Sequence, residues 1–520
     1  MNLLPELKRE KRIPAGLLWG STALLIAFAI ASQLYTLSIH KAFWLDEWFI
    51  IDSLKFKSYS QIFGELFHIQ QFPRTYLVII KWLAEVTDYN YFALRFLPAL
   101  MEIINIFLIV FLISKILYGS DLIKRILFIW FFLALQVTVF YFTQMKQYTM
   151  EMFLALMSVY YFHMLSVNYG TLKMNSVKYL GFLLFIAGGL FFSYSFCFVV
   201  APILLVLFIT GLYGFRNGKL ETKSIIPILL FLIAIVLNYF TDLRYVLNNE
   251  NQYSNFDDYV MSYDSLRDIA ARLYNVVRLL AYNIHYAPES HSAGFVYVLH
   301  FLKVLLIFLV CTGVFFSVKK EIERAKSHGR KYVFMQSFQN SPSWDLYMLI
   351  ILFLTIALYL MKLLPLGQGR LNYYAYVFNT YFLIRGMEVI GARFLRLRIF
   401  LIVSVYFIAL SQIIRIYSNE FKNTNLLFDQ EIYDNVGQAI NKAYAEDLPL
   451  VVYRNEFLPR SILSNTESLM IRSHHNYKPR KGIDIYMIDS SRVATALDSV
   501  GISGFIHVKK HSYTIKKENQ

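Results

Sequence analysis

The sequence predicts a polytopic α-helical membrane protein that ends in a small α/β domain. Of its 520 residues, 57% are hydrophobic and 17% are aromatic, whereas only 16% are charged. Soluble domains carry roughly a quarter of charged residues, so this composition excludes an ordinary soluble protein. The chain also contains about eleven apolar segments close to the ~20 residues that a helix needs to cross the hydrocarbon core.

The apolar segments follow one another up to residue 417. We predict spans near 14–36, 91–117, 122–141, 150–167, 178–196, 197–214, 225–241, 294–317, 345–363, 371–387 and 398–417. The run at 178–214 is divided because it is nearly two spans long and Ser193 to Ser195 interrupt it. The basic N-terminus resembles a signal peptide, but the apolar run behind it is too long for one. We therefore expect a retained first helix.

The net charge of +15 is explained by membrane orientation better than by nucleic-acid binding. No soluble module interleaves basic residues with base-stacking aromatic residues. Most Lys and Arg lie in alternate short loops, as the positive-inside rule requires of cytoplasmic loops. This pattern predicts a cytoplasmic N-terminus and an extracytoplasmic C-terminal region. The two cysteines, Cys197 and Cys311, both lie in apolar segments, so we expect neither a disulfide framework nor a thiolate metal cluster.

Two long loops and the tail are expected on the extracytoplasmic side, at 37–90, 242–293 and 418–520. The first loop is expected to lie in the membrane interface. Large apolar residues recur in it at helical spacing, namely Phe56, Tyr59, Ile62, Phe63, Leu66 and Phe67.

The tail has the pattern of a small α/β domain. Strand patterns occur at 449–453, 483–488 and 504–508, and helical patterns occur at about 430–445 and 492–500. The chain is therefore predicted to contain a transmembrane domain over 1–417 and an extracytoplasmic domain over 418–520.

Two adjacent carboxylates, Asp46 and Glu47, follow the first span and lie between Trp44 and Trp48. Acids beside the bilayer are costly to desolvate, which favours a role for them. In the functional interpretation, one of them is a general base for an acceptor hydroxyl. In the structural interpretation, both are solvated and orient the end of the helix. The pair alone leaves both interpretations open.

Two short extracytoplasmic loops each contain a cation that the positive-inside rule disfavours. Lys146 lies between the third and fourth spans, and Arg370 ends the turn that begins at Gly367. Either cation suits a phosphate at the outer leaflet. The alternatives are a snorkelling Lys146 and an Arg370 that only caps its turn. Two acids and two cations on one membrane face indicate a reactive site more strongly than any one of these residues does alone.

Several motifs, in this order along the chain, resemble the type C (GT-C) membrane glycosyltransferases. These motifs are Leu45-Asp46-Glu47, Gln71-Phe72-Pro73-Arg74-Thr75-Tyr76 and Phe92-Ala93-Leu94-Arg95-Phe96-Leu97-Pro98. The Lys146-Gln147-Tyr148 loop and the turn from Gly367 to Arg370 resemble the same set. That set includes the protein O-mannosyltransferases, the lipid A aminoarabinose transferase and similar bacterial members of glycosyltransferase family 39. The match covers about residues 1–390.

The resemblance implies a GT-C fold and an inverting sugar transfer from a polyprenyl-phosphate donor. The acceptor would be a hydroxyl of a lipid, a glycan or a protein at the extracytoplasmic face of a bacterial inner membrane. By position, Asp46 would be the base and Glu47 would support it. Lys146 and Arg370 would hold the donor phosphate, with Arg95 as a further candidate and Tyr148 in the same loop as Lys146.

The chain also departs from the pattern of these enzymes. Gln144 stands where many relatives have a carboxylate, and Gln71-Phe72-Pro73 stands where many have His-Pro-Pro. The missing acid leaves open whether a divalent metal takes part and whether the activity is altered or lost. His68 is a candidate to compensate, and the alternative is a solvated loop histidine.

Two other classes of protein stay open. A transporter or flippase of lipid-linked glycans would place ionisable residues near the midplane and is often built from repeats. Here Glu102 is the acid that lies clearly within a span, and a bundle-facing acid paired with a neighbouring polar group is favoured over a functional role for it. A polymerase or ligase of lipid-linked glycans would centre its site on a large late outer loop, for which 242–293 is the candidate.

Overall fold

The computed structural model describes most of the helical part of the chain and the centre of the tail. The described residues are 15–38, 43, 45–67, 72–135, 141–218, 221–247, 265–281, 293–328, 343–361, 373–393, 402–403, 410, 427–453, 459, 462–463, 485–488, 504–509 and 512–517. Helices dominate up to residue 393, and a four-stranded sheet follows in the tail.

The helices follow the order of the apolar segments. They are α1 (Ala15–Ser38), α2 (Leu45–Phe56), α3 (Tyr59–Ile62), α4 (Arg74–Val86), α5 (Tyr91–Phe107), α6 (Ser114–Tyr118), α7 (Leu122–Leu133), α8 (Tyr148–Asn168), α9 (Val177–Gly188), α10 (Phe196–Arg216), α11 (Thr222–Asn238), α12 (Arg244–Leu247), α13 (Leu266–Ala281), α14 (Ala293–His328), α15 (Trp344–Leu360), α16 (Ala375–Arg393) and α17 (Leu427–Glu446). Two π-helical turns, Leu108–Ile113 and Tyr239–Leu243, join α5 to α6 and α11 to α12.

Five helical segments in the described part of the chain are long and apolar enough to cross a membrane. They are Ala15–Tyr35, Phe92–Tyr118, Tyr148–Asn168, Phe196–Arg216 and Thr222–Leu243, and two shorter apolar helices are Val177–Phe191 and Trp344–Leu360. The chain is therefore a polytopic α-helical membrane protein, as predicted. The break that was predicted around Ser193 to Ser195 is confirmed, because one helical segment ends at Phe191 and the next begins at Phe196. The segment predicted at 398–417 lies almost entirely outside the described residues.

Helices α14 and α16 cross at a close contact between two glycines. A β-carbon built on Gly313 would overlap the carbonyl oxygen of Phe382, and one built on Gly386 would overlap that of Leu309. Small residues at such a crossing let two backbones approach closely, and van der Waals packing then holds the helices together in lipid.

The first predicted outer loop is divided into three helices. The apolar periodicity over 56–67 does not form one helix, because α2 ends at Phe56 and Ser58 takes an extended conformation and caps α3. Ile62 and Leu66 are buried, whereas Phe56 and Phe63 are exposed. The helical spacing over this stretch is thus divided between α2 and α3, because a capping box at Ser58 and Gln61 restarts the helix.

The tail forms a sheet in the order β2-β1-β3-β4. Its strands are β1 (Leu450–Tyr453), β2 (Ile485–Ile488), β3 (Gly504–Val508) and β4 (Tyr513–Lys517). Strand β1 is parallel to β2 and β3, and β4 is antiparallel to β3. The α/β pattern of the tail, with α17 and the first three strands, is confirmed, whereas β4 was not predicted. The helix predicted at 492–500 lies outside the described residues.

One cluster of buried apolar side chains joins the tail to the region between α1 and α5. It contains Trp48 of α2 and Tyr76 of α4 together with Ile432 of α17, Leu450 of β1 and Ile506 of β3. The tail and the region between α1 and α5 therefore lie on the same side of the helical bundle. Their shared core sits directly beside the two adjacent acids.

Candidate active site

Asp46 and Glu47 lie in the first turn of α2. Acidic side chains are favoured there because they face the positive end of the helix dipole. Successive residues of a helix point about 100° apart, because the helix has 3.6 residues per turn. The two carboxylates therefore enter different surroundings: the side chain of Asp46 is 24% exposed, whereas that of Glu47 is fully buried.

Glu47 is held by a two-pronged ion pair with Arg95 of α5. Arg95 Nε donates to Glu47 Oε1 at 3.1 Å, and Arg95 Nη2 donates to Glu47 Oε2 at 2.7 Å. The backbone N–H of Met145 also donates to Glu47 Oε1, at 2.8 Å. Glu47 thus joins α2, α5 and the 141–147 turn. This places Arg95 against Glu47, and the guanidinium also lies over the ring of Phe43 at 4.6 Å.

Asp46 faces Lys146 instead. The Oδ2 atom of Asp46 lies 3.4 Å from Nζ of Lys146, whose side chain is only 7% exposed. The same Nζ lies 5.4 Å from the centre of the Phe72 ring, within the range of a cation–π contact. Tyr76 donates a hydrogen bond from its hydroxyl to the Lys146 carbonyl at 3.2 Å. Burial raises the pKa of Tyr76 well above its usual value, so this hydroxyl keeps its proton.

A second polar cluster, which the sequence did not predict, contacts the backbone carbonyl of Phe72. It consists of Arg74 at the start of α4, Asp242 in the π turn after α11, and Tyr194 between α9 and α10. Asp242 follows directly after the seventh predicted span, 225–241. An acid at the end of a span was the feature of the sequence that could have indicated a role for it. Its partner Arg74 is 168 positions away in the chain, so the pairing itself left no local pattern.

The remaining candidates are distributed as follows. Gln144 is buried in the 141–147 turn. Tyr148 starts α8 and packs its ring 4.4 Å from that of Tyr141. Arg370 and His68 lie outside the described residues. The structure thus brings Asp46, Glu47, Arg95 and Lys146 together around one turn, with Gln144 and Tyr148 in or next to that turn.

Glu102 lies fully buried inside the helical bundle. Asn105 donates to its Oε2 and Tyr373 donates to its Oε1, each at 3.1 Å. Asn105 also donates to the Thr149 carbonyl, at 2.8 Å. Glu102 is thus paired with neighbouring polar groups, and its contacts are those of a residue that holds α5, α8 and the start of α16 together. This arrangement favours the structural explanation of Glu102 over an ion pathway.

The described residues do not form an evident metal site. Among them, no three His, Cys, Asp or Glu side chains converge in a way that could hold a metal ion. Glu47 is already bound to Arg95, and Gln144 is a neutral side chain in the same turn. The charged groups of the described residues therefore do not fit a resident divalent metal.

No protein-family model and no curated protein matches the chain. Among solved structures, the chain is similar to ArnT from Cupriavidus metallidurans in the apo state, with a TM-score of 0.45 and 12% identity over 96% of this chain and 97% of that chain. It is also similar to the oligosaccharyltransferase of Archaeoglobus fulgidus in complex with Zn and sulfate, with a TM-score of 0.46 and 11% identity.

The alignment with that archaeal enzyme covers 84% of this chain but only 61% of the other, so the chain spans less than two thirds of its length. The archaeal enzyme AglB in complex with an inhibitory peptide and a dolichol-phosphate gives a TM-score of 0.42 and 11% identity, over 94% of this chain and 70% of that chain. These enzymes are of the GT-C type. Because all three TM-scores are below 0.5, the function of this chain has to be inferred from its own residues.

Proposed function

We propose that the protein is a membrane glycosyltransferase that moves a sugar from a polyprenyl-phosphate donor to an acceptor hydroxyl. The observation that carries this proposal is the pairing of Asp46 with Lys146 beside a Glu47 that Arg95 already neutralises. One carboxylate is thus committed to holding the fold, while the other is partly exposed and pairs with the buried cation of Lys146. A base and a phosphate-binding cation are the two groups that this transfer needs.

The chemistry divides between these two side chains. Asp46 takes the proton of the acceptor hydroxyl as its oxygen attacks the anomeric carbon from the face opposite the phosphate. The bond between that carbon and the phosphate oxygen breaks, and the sugar is transferred with inversion. Lys146 leaves its contact with Asp46 for the phosphate, whose negative charge it matches as the polyprenyl phosphate departs. Arg370 is proposed as a second cation for the same phosphate.

The proposed site faces the extracytoplasmic side of a cell membrane. The positive-inside pattern favours this orientation for the region between α1 and α5. The apolar cluster shared by that region and the tail supports a tail on the same side. We propose that the tail provides surface for the acceptor, which is a lipid, a glycan or a protein.

A donor panel tests the proposal. Purified protein in detergent is incubated with radiolabelled polyprenyl-phosphate sugars and, separately, with the matching nucleotide sugars. We expect label in an acceptor fraction only from the lipid-linked donors. Transfer from a nucleotide sugar, or movement of an intact lipid-linked glycan across vesicles without any transfer, would overturn it and favour another transferase class or a flippase.

A further inference from the structure

Asp242 binds the segment that precedes and begins α4. Its Oδ2 accepts a hydrogen bond from the backbone N–H of Arg74 at 3.0 Å, and its Oδ1 lies 3.6 Å from Arg74 Nε. Arg74 Nη1 donates to the Phe72 carbonyl at 3.0 Å. Both Arg74 and Asp242 are almost completely buried. A buried carboxyl group and a buried guanidinium are thus paired with each other and bonded to the backbone, although Arg74 Nε itself makes no hydrogen bond.

The Tyr194 hydroxyl bridges Asp242 and the backbone of Phe72. It lies 2.6 Å from Asp242 Oδ1 and 2.8 Å from the Phe72 carbonyl oxygen. Arg74 also donates to the Phe72 carbonyl, which can accept two hydrogen bonds. Asp242 is therefore tied to Phe72 through both Arg74 and Tyr194.

Asp242 thereby supplies a cap that α4 lacks in its own sequence. The residue before α4 is Pro73, whose side chain makes no capping hydrogen bond. The first N–H groups of a helix need an acceptor, and a negative charge there is favoured by the helix dipole. Asp242, from a helix far along the chain, provides both. The start of α4 is thus fixed to the outer end of the span Thr222–Leu243.

The segment that Asp242 fixes carries two contacts of Lys146. Phe72 places its ring 5.4 Å from Lys146 Nζ, and Tyr76 donates to the Lys146 carbonyl at 3.2 Å. We infer that Asp242 is a positioning residue: it holds Phe72 and Tyr76 so that Lys146 meets the donor phosphate. This inference rests on the proposed function.

A double-mutant cycle with Lys146 tests the inference. If Asp242 acts through Lys146, Asp242→Ala should weaken binding of polyprenyl phosphate by roughly tenfold in the wild-type background. In the Lys146→Ala background the same change should have little further effect, because the contact that it misplaces is already gone. Tyr194→Phe should give a smaller loss with the same dependence on Lys146. Asp242→Asn keeps an acceptor for the Arg74 N–H and replaces Asp242→Ala in the cycle if the alanine variant cannot be purified.

Asp345 offers a matched control. It is a buried acid in a separate network, where it accepts from Ser317, Lys320 and Tyr381. Asp345→Ala should lower thermal stability but leave the affinity for polyprenyl phosphate unchanged.

The measured quantity is binding of polyprenyl phosphate itself, so the cycle can be read even if no sugar is transferred. A wild-type protein that binds the lipid phosphate but transfers nothing would overturn the proposed function alone. Independent, multiplying losses from Asp242→Ala and Lys146→Ala, or an unchanged affinity in Asp242→Ala, would overturn the positioning role.

Discussion

Glu47 and Arg95 form a two-pronged ion pair in which both side chains are almost entirely excluded from solvent. A planar guanidinium matches a carboxylate in this geometry, and lysine cannot reproduce it. The pair fixes the start of α2 to α5, and so it also fixes the direction in which the neighbouring Asp46 points. The two adjacent acids thus have separate roles, one in the fold and one at the site.

Breaking this pair should destabilise the protein strongly. Arg95→Ala leaves the Glu47 carboxylate buried and uncompensated, which typically costs about 3–5 kcal/mol. The apparent melting temperature of the purified protein should fall by several degrees, and Arg95→Lys should restore little of it. Lys319→Ala, which removes an exposed pair with Glu323, is the control and should change nothing measurable. An Arg95→Ala protein as stable as the wild type would contradict this account.

Replacing the proposed base should abolish turnover without unfolding the protein. Asp46→Asn keeps the shape of the side chain but removes the proton acceptor, so the rate should fall by roughly a hundredfold or more. Initial rates with the active lipid-linked donor measure this. Asp88→Asn makes the same chemical change at an exposed residue after α4, where asparagine suits the positive φ of 49°, and should retain activity. Near-normal transfer by Asp46→Asn would make Asp46 a structural residue.

Removing the buried cation should weaken use of the donor. Lys146→Ala takes one charge from a partly desolvated phosphate, a loss of about 1.5–3 kcal/mol. This corresponds to a roughly ten- to hundredfold drop in kcat/KM for polyprenyl-phosphate sugar. Arg370→Ala should act in the same direction. Lys319→Ala, at an exposed pair with Glu323, is the control. Equal kcat/KM for the Lys146 and Lys319 variants would remove Lys146 from the site.

The glycine crossing between α14 and α16 should not tolerate even a methyl group. Gly313→Ala would push against the backbone of Phe382, which cannot rotate away as a side chain can, and overpacking typically costs about 1–3 kcal/mol. Gly20→Ala in α1 meets no atom within 4 Å, and alanine is the better helix former there. Thermal unfolding should show a loss for the first variant and none for the second. The same melting temperature for both would argue against the close crossing.

Acid should weaken the tail through His507. Burial, together with the neighbouring Lys509 and Lys516, lowers the pKa of His507 from 6.5 to about 4. Between those two pH values the unfolded chain binds a proton that the folded chain does not. The contribution of neutral His507 to the free energy of unfolding is therefore complete above pH 6.5 and is lost as the pH falls towards 4. Melting temperatures at pH 7 and pH 5 should differ more in the wild type than in His507→Gln, and equal differences would exclude His507 as the cause.

The membrane part of the fold could be predicted because it depends on local composition. Apolar length located the helices, and Ser193 to Ser195 located a break between two of them. Between α1 and α5, the apolar periodicity over 56–67 indicated helix but did not reveal the cap at Ser58, which divides the stretch between two helices. Strand β4, Tyr513–Lys517, was not predicted, because it is only five residues long and its last two residues are lysines.

The candidate site could be predicted in composition but not in arrangement. Asp46 and Lys146 stood out because an acid pair and a lone cation are unusual beside a membrane. That Arg95 pairs with Glu47 depends on where α2 begins, which periodicity did not reveal. The cluster of Arg74, Tyr194 and Asp242 depends on three distant segments meeting, and no local pattern encodes such a contact.

Because of the π turn at Tyr239–Leu243, the number of residues in the span Thr222–Leu243 is itself constrained. A π turn bonds residues five apart instead of four, so it contains one residue more than an α turn. Deleting one residue there would restore a regular helix but rotate Asp242 by about 100° away from Arg74. The number of residues between Thr222 and Asp242 therefore matters as much as their identity. An insertion or deletion in this span would be more damaging than most substitutions, and sequence alignments of this region should be anchored on its length.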